Sequence, residues 1–177
     1  MSVNGYFCVK KETENETVIE RSRFISYVKK CETEDDARAF LEEKRKAHPF
    51  ATHNCYAYIT ERGKIARFSD DGEPQGTAGQ TILEVIKNKK LFDTIVVVTR
   101  YFGGIKLGAG GLVRAYSQGA RDVIEKAGTA ENVLSRVYGV KMPYDCYQPF
   151  LKFADKIKKS VVSTDFSDSV TVKIAVP

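Results

Sequence analysis

The sequence predicts an α+β, two-layer protein in two parts, and three observations predict it. Segments of alternating polarity interleave with segments of helical period, without repeats or low-complexity tracts. DTIVVVTRY (93–101) is continuously apolar, as a central strand covered on both faces would be, and it runs into the glycine-rich stretch RYFGGIKLGAGGLVRAY (100–116). The composition then changes at AGTAENVLSR (127–136), which is small and polar with no apolar period. This sets a boundary between a domain at 1–130 and a second at 131–177.

The elements follow in order. Residues 3–10 and 17–30 read as strands joined by the polar turn ETENE. Thr33 opens a helix, with Asp36 three residues on as in a capping box; Ala37, Phe40, Leu41 and Ala47 mark its buried side and Pro49 stops it. HNCYAYITERGKIARFSD (53–70) reads as a hairpin turning at Arg62-Gly63, and DDGEPQGTAGQ as a loop. A helix over 78–90 carries Ile82, Leu83, Val85 and Ile86. After the strand and the glycine stretch comes a helix at 112–127, with Leu112, Ala115, Tyr116, Gly119 and Val123 at helical spacing. The second part reads as strand 133–142, helix 145–159 with Phe150, Leu151, Ala154 and Ile157 apolar, and strands 160–167 and 169–176. That βαββ order is a ferredoxin-like piece, short of the helix and strand that would close its sheet, so the second domain reads as cut short.

Composition narrows the class. No apolar run approaches the length of about 18 residues that a membrane helix needs, and MSVNGYFCVKKETE lacks a signal core, so a cytoplasmic protein with no membrane partner is expected. Cys8, Cys31, Cys55 and Cys146 are far apart and form no CxxC pair, which favours reduced thiols. Net charge is +5, and the excess is local: residues 87–126 hold eight Lys/Arg against three Asp/Glu. A basic field around a flexible loop suits a phosphate-bearing partner, although an ordinary solvated face has the same look.

The glycine stretch is a strand-to-helix junction, where the first N–H groups of a helix lack internal partners and an anion can satisfy them. Gly103, Gly104, Gly108, Gly110 and Gly111 give backbone freedom; Arg100, Lys106 and Arg114 give charge. A structural turn with glycines at positive φ is the alternative. Standard motifs fail. In GGIKLGA, Ala109 stands where a P-loop has lysine, and Val113 stands where G-x-G-x-x-G needs its last glycine.

The acidic loop SDDGEPQGTAG (69–79) offers Asp70, Asp71 and Glu73, which could hold Mg²⁺ beside a phosphate or simply solvate a turn, with Thr77 near the cap of the next helix. His48, His53 and Cys55 lack the fourth ligand of a zinc site. Cys55 with His53 could make a thiol nucleophile and its base, but a small buried thiol explains Cys55 as well. Ser117 lies inside a helix, away from any nucleophile elbow. No metal site and no catalytic residue is assigned.

Three stretches taken together, HPFATHNCYAYI (48–59), DDGEPQGTAGQ (70–80) and RYFGGIKLGAGGLVRAY, resemble the IMPACT/YigZ family in order and spacing, over residues 20 to 127. The tail with SDSVTVKIAVP resembles the start of the C-terminal domain of bacterial YigZ-type members. The resemblance implies a first domain like ribosomal proteins and domain IV of elongation factor G, and a ferredoxin-like second domain. It implies no catalytic residues and no cofactor. Eukaryotic relatives restrain the starvation kinase that regulates translation initiation; for bacterial relatives nucleic-acid or ribosome binding is the usual inference. The motif positions lining the family's shared surface would be His53, Asp70, Asp71, Glu73, Thr77, Arg100, Tyr101, Phe102, Gly103, Gly104, Lys106 and Arg114.

The expected function is therefore non-enzymatic and related to translation. Arg100, Lys106 and Arg114 would meet phosphates of RNA, the ribosome or a ribosome-associated protein, and Tyr101 and Phe102 would stack on bases. The alternative is a nucleotide- or phosphometabolite-handling enzyme, since KLGAGGLVRA is loosely similar to the phosphate loop of GHMP kinases; the acidic loop would then serve Mg²⁺. Oligomeric state is not assigned.

Overall fold

The computed structural model describes residues 5–133 and 135–176, so positions 3, 4 and 134 of the expected strands lie outside the described residues. The described residues form two compact units, Tyr6–Asn132 and the part from Val133 onward, with which Gly5 is grouped.

The chain starts with β1 (Gly5–Val9), β2 (Thr13–Ile19), β3 (Ser22–Lys30), α1 (Glu34–Ala47), β4 (His53–Thr60) and β5 (Ile65–Ser69). It continues through α2 (Gly79–Asn88), β6 (Thr94–Tyr101), α3 (Gly108–Ala127) and β7 (Thr129–Val133). The main sheet has the order β2-β3-β6-β4-β5, and its pairings are antiparallel. The continuously apolar strand β6 is at its centre, as its sequence requires. Side chains alternate across the sheet. Val96 and Val98 therefore pack with Ile82 and Ile86 of α2 and with Leu112, Tyr116 and Val123 of α3. Ile95 and Val97 pack on the opposite face with Ala37, Phe40 and Leu41 of α1.

The start of α1 is a capping box. Asp36 N donates to Thr33 Oγ1 over 3.1 Å, and Thr33 N donates to Asp36 Oδ2 over 3.2 Å. The helix ends at Ala47, before Pro49, although Ala47 itself is exposed.

The strand expected at 17–30 is two strands, and ETENE lies within β2 rather than in a turn. Along β2 every second residue is half-buried, the pattern of an edge strand, and its polar residues concealed the alternation. The chain reverses at Glu20 and Arg21, whose φ angles of 46° and 63° suit a two-residue hairpin without glycine. β7, which pairs with β1, has no apolar alternation and was not expected as a strand. Helix α3 begins at Gly108, a full turn before the expected residue 112. Glycines weaken the intrinsic preference for helix, but burial of Leu112, Ala115, Tyr116 and Val123 against the sheet fixes the whole segment.

The second unit is β8 (Arg136–Met142), α4 (Tyr144–Lys156), β9 (Ser160–Phe166) and β10 (Val170–Val176). Its antiparallel sheet has the order β8-β10-β9, so the last strand inserts between the first two, giving a ferredoxin-like βαββ unit. A small core joins Met142, Val170 and Val172 to the half-buried Tyr147 and Phe150. Ala154 is buried on α4, while Ile157, expected on its apolar side, caps the helix and is exposed.

Candidate functional site

The glycine stretch divides at Gly103. Before it, the side chains of Arg100 and Tyr101 turn inward, while Phe102 stays half-exposed. Arg100, the second-to-last residue of β6, has a side chain only 6% exposed. Its Nη1 donates to Glu73 Oε1 over 2.7 Å and its Nη2 donates to Ser22 Oγ over 3.2 Å. Its Nε is enclosed without a hydrogen-bond partner among the described residues, and the guanidinium carbon lies over the rings of Phe24 and Phe102, 5.3 and 5.5 Å from their centroids. Tyr101 points to the α1 face, where its hydroxyl lies 2.8 Å from His48 Nδ1; Tyr27 Oη lies 2.6 Å from the other ring nitrogen. Burial, then Arg23 and Lys44, holds the His48 pKa below its ordinary value.

Gly103 is the pivot. A Cβ there would stand 2.0 Å from the Arg21 carbonyl carbon, so only glycine permits this contact with the β2–β3 turn. From Gly104 to Gly110 the chain faces outward, with Leu107 half-buried. Gly104 and Gly108 take φ of 86° and 70° with open space around them, and a Cβ at Gly110 would also meet nothing. Gly111 packs on Leu107. Lys106 and Arg114 are exposed, and neither has an acidic partner within ion-pair distance among the described residues. They line a cleft of about 600 Å³ with Ile105, Gln118, Arg121 and one carboxylate, Glu20. Phe102 is 47% exposed, and the first turn of α3 has neither a side-chain cap nor an acidic residue.

The three acids expected to act together have separate partners. Asp70 accepts from the N–H groups of Gly76, Ala78 and Gly79 over 2.8 to 3.0 Å, so it caps α2 from a distance in sequence. Thr77 does not cap this helix; its hydroxyl donates to the Pro74 carbonyl over 2.6 Å. Asp71 accepts from Asn54 N over 2.6 Å and pairs with Arg45 at 3.4 Å. Glu73 has a side chain only 3% exposed, and its Oε1 accepts from both Arg100 and the Tyr116 hydroxyl, each over 2.7 Å. Among the described residues no three His, Cys, Asp or Glu side chains converge as a metal-binding group.

His53 Nδ1 lies 2.8 Å from the Asp71 carbonyl, which can only accept, so Nδ1 carries the hydrogen. His53 Nε2 lies 3.9 Å from Glu73 Oε2. Cys55 is not paired with His53. Its thiol donates to the Asp70 carbonyl over 3.0 Å and lies 3.4 Å from Tyr116 Oη. Burial pushes that thiol well above the ordinary range, away from the thiolate a nucleophile needs.

His53, Glu73, Arg100, Phe102 and Lys106 all line one cavity of about 390 Å³ at the start of α3. The sequence alone did not bring Tyr116 into this group. Helical spacing places its ring in the core, where it stacks edge-on against Phe24, but does not show that its hydroxyl reaches Glu73. Phe50, in the turn before β4, is 90% exposed, and was likewise not singled out.

Comparison with known proteins agrees with this architecture. The sequence model of the Impact N-terminal domain matches residues 20–124. IMPACT family member YvyE of Bacillus subtilis is 48% identical over 143 residues, which are 80% of this chain and 66% of that protein. This chain thus spans about two thirds of that relative. An IMPACT family member of Haemophilus influenzae is 33% identical over 93% of this chain and 82% of its own. A crystal structure described as a hypothetical protein superposes over 98% of this chain and 85% of its own, with 29% identity and a TM-score of 0.71. The chain belongs to the IMPACT family.

Proposed function

We propose that the chain is a non-enzymatic protein of translation-related regulation that binds ribosomal RNA through the outward part of its glycine stretch. One observation carries this reading. Lys106 and Arg114 are exposed, without an acidic partner among the described residues, on a face opened by glycines next to a half-exposed phenylalanine. Phosphates supply the missing counter-charges, and the uncapped N–H groups of α3 add to their attraction. Phe102 has an accessible ring on which an unpaired base stacks. The link to translation comes from the family resemblance of the motifs on this face. Arg100 and Tyr101 support the face from behind rather than touching the partner.

Co-sedimentation with ribosomal subunits across a salt series tests the reading. The wild-type chain should pellet at low salt and be released as salt rises. Lys106→Ala with Arg114→Ala should stay in the supernatant. Pelleting that ignores both salt and the double substitution would contradict the reading and favour a protein contact elsewhere.

A second reading, an enzyme acting on nucleotides or phosphometabolites, is favoured by the cavity in which His53 and the Glu73–Arg100 pair meet the start of α3. Any Mg²⁺ would then arrive largely on the substrate's phosphates, since the acids of the loop have separate partners. Phosphate release from a nucleoside triphosphate with Mg²⁺, abolished by chelation, would support this reading against the first.

A further inference from the structure

The cavity beside α3 has a polar floor, apolar walls and a basic mouth, and each part has a chemical meaning. The floor is Glu73 and His53, with Arg100 beside them, its Nη1 and Nη2 engaged by Glu73 and Ser22. Glu73 Oε1 is saturated by Arg100 and Tyr116, while Oε2 accepts no hydrogen bond among the described residues, although the side chain is 97% buried by its 3% exposure. In the neutral His53 ring, Nδ1 carries the hydrogen, so Nε2 is an acceptor. The floor therefore offers two acceptors 3.9 Å apart. Oε2 opens into this cavity with no side-chain or backbone donor on it among the described residues, so a ligand bearing N–H groups finds a free carboxylate oxygen there.

The walls are Phe102, Pro74, Leu107 and Leu112. Phe102 is stacked on the Arg100 guanidinium, 5.5 Å from its centroid, and remains 47% exposed. A flat ring system slides against such a surface with little loss of freedom. The mouth is Lys106 and the first turn of α3, both suited to a phosphate.

We propose that this cavity takes a single guanine nucleotide, one unpaired residue of the bound RNA. The base lies against Phe102, its adjacent ring and amino N–H donors meet Glu73 Oε2 and His53 Nε2, and its phosphate meets Lys106. Guanine is the common base that presents two adjacent donors on one edge. Adenine and cytosine present a single amino group, and uracil a single N–H flanked by acceptors. The proposal rests on the reading that the outward face meets RNA, and it adds which base is chosen and by which groups.

Calorimetric titration of the full chain with 5′-GMP, 5′-AMP and inorganic phosphate tests it. GMP should bind at least tenfold more tightly than AMP, and phosphate alone more weakly than either. Phe102→Ala, at an exposed position that leaves the core intact, should weaken GMP at least tenfold. Lys106→Ala should weaken GMP and AMP alike. His53→Leu should erase the preference for GMP while leaving phosphate unaffected. Equal binding of GMP and AMP, or phosphate binding as well as GMP, overturns the proposal and leaves an anion site only. If no mononucleotide binds while ribosomal subunits still carry the chain down, the pocket is wrong and the RNA-facing surface stands. If neither binds, both are overturned.

Discussion

Arg100 and Lys106 are six positions apart in one glycine-rich stretch and look alike in the sequence. In the fold they have opposite fates. Arg100 is enclosed, paired with Glu73 and set over two aromatic rings; Lys106 stands in solvent without an acidic partner among the described residues. The same division holds for the glycines. Gly103 is glycine because the neighbouring turn leaves no room for a Cβ, whereas Gly110 has open space around it. A run of glycine and basic residues is therefore not one device. Its first half fastens the end of β6 to the β2–β3 turn and the acidic loop, and its second half presents a surface.

The largest way to break this division is Arg100→Ala. It leaves Glu73 buried with its principal partner gone, and loss of one member of a buried pair costs about 3–5 kcal/mol. Denaturant unfolding should show it as a lower midpoint. Gly103→Ala comes next, since its Cβ would meet backbone 2.0 Å away; overpacking of this kind costs about 1–3 kcal/mol. Gly110→Ala, in the outward half, should have the opposite sign and raise the midpoint, for a gain in stability of up to about 1 kcal/mol, because the site is helical and unobstructed. Lys106→Ala with Arg114→Ala should change stability by no more than about 0.5 kcal/mol while abolishing pelleting with ribosomal subunits at low salt.

The smallest effect is on pH. His48 is held by Tyr27 and by Tyr101 of the inward half, and its pKa lies below the ordinary value. The unfolded ring, with a pKa of about 6.5, therefore takes up its proton at higher pH than the folded ring. Stability is fully present above that pH and falls as the pH drops through it towards the folded value. Melting temperatures measured from pH 7.5 down to about 5.5 should decline, and His48→Gln should flatten that decline.

Much of the fold was legible because periodicity reports which face of an element is buried. The apolar run of β6, the capping box of Thr33 and Asp36, and the βαββ order of the second unit all have local signatures. The candidate site was legible only in outline. Glu73 and Arg100 are 27 positions apart, and nothing local says that the acidic loop folds back onto the end of β6. The three acids formed a cluster in sequence, yet their side chains point to α2, to β4 and to Arg100 respectively. Tyr116 shows the same limit: its ring obeys the helical period, and its hydroxyl answers to a carboxylate 43 positions away.

The most direct test measures thermal unfolding and ribosomal-subunit binding side by side for Arg100→Ala and for Lys106→Ala with Arg114→Ala. The account predicts that the first variant melts far below wild type and that the second melts with wild type but no longer pellets at low salt. If the double variant still pellets as wild type does, or if Arg100→Ala keeps wild-type stability while losing binding, the division of the stretch into a fastening half and a contact half is contradicted.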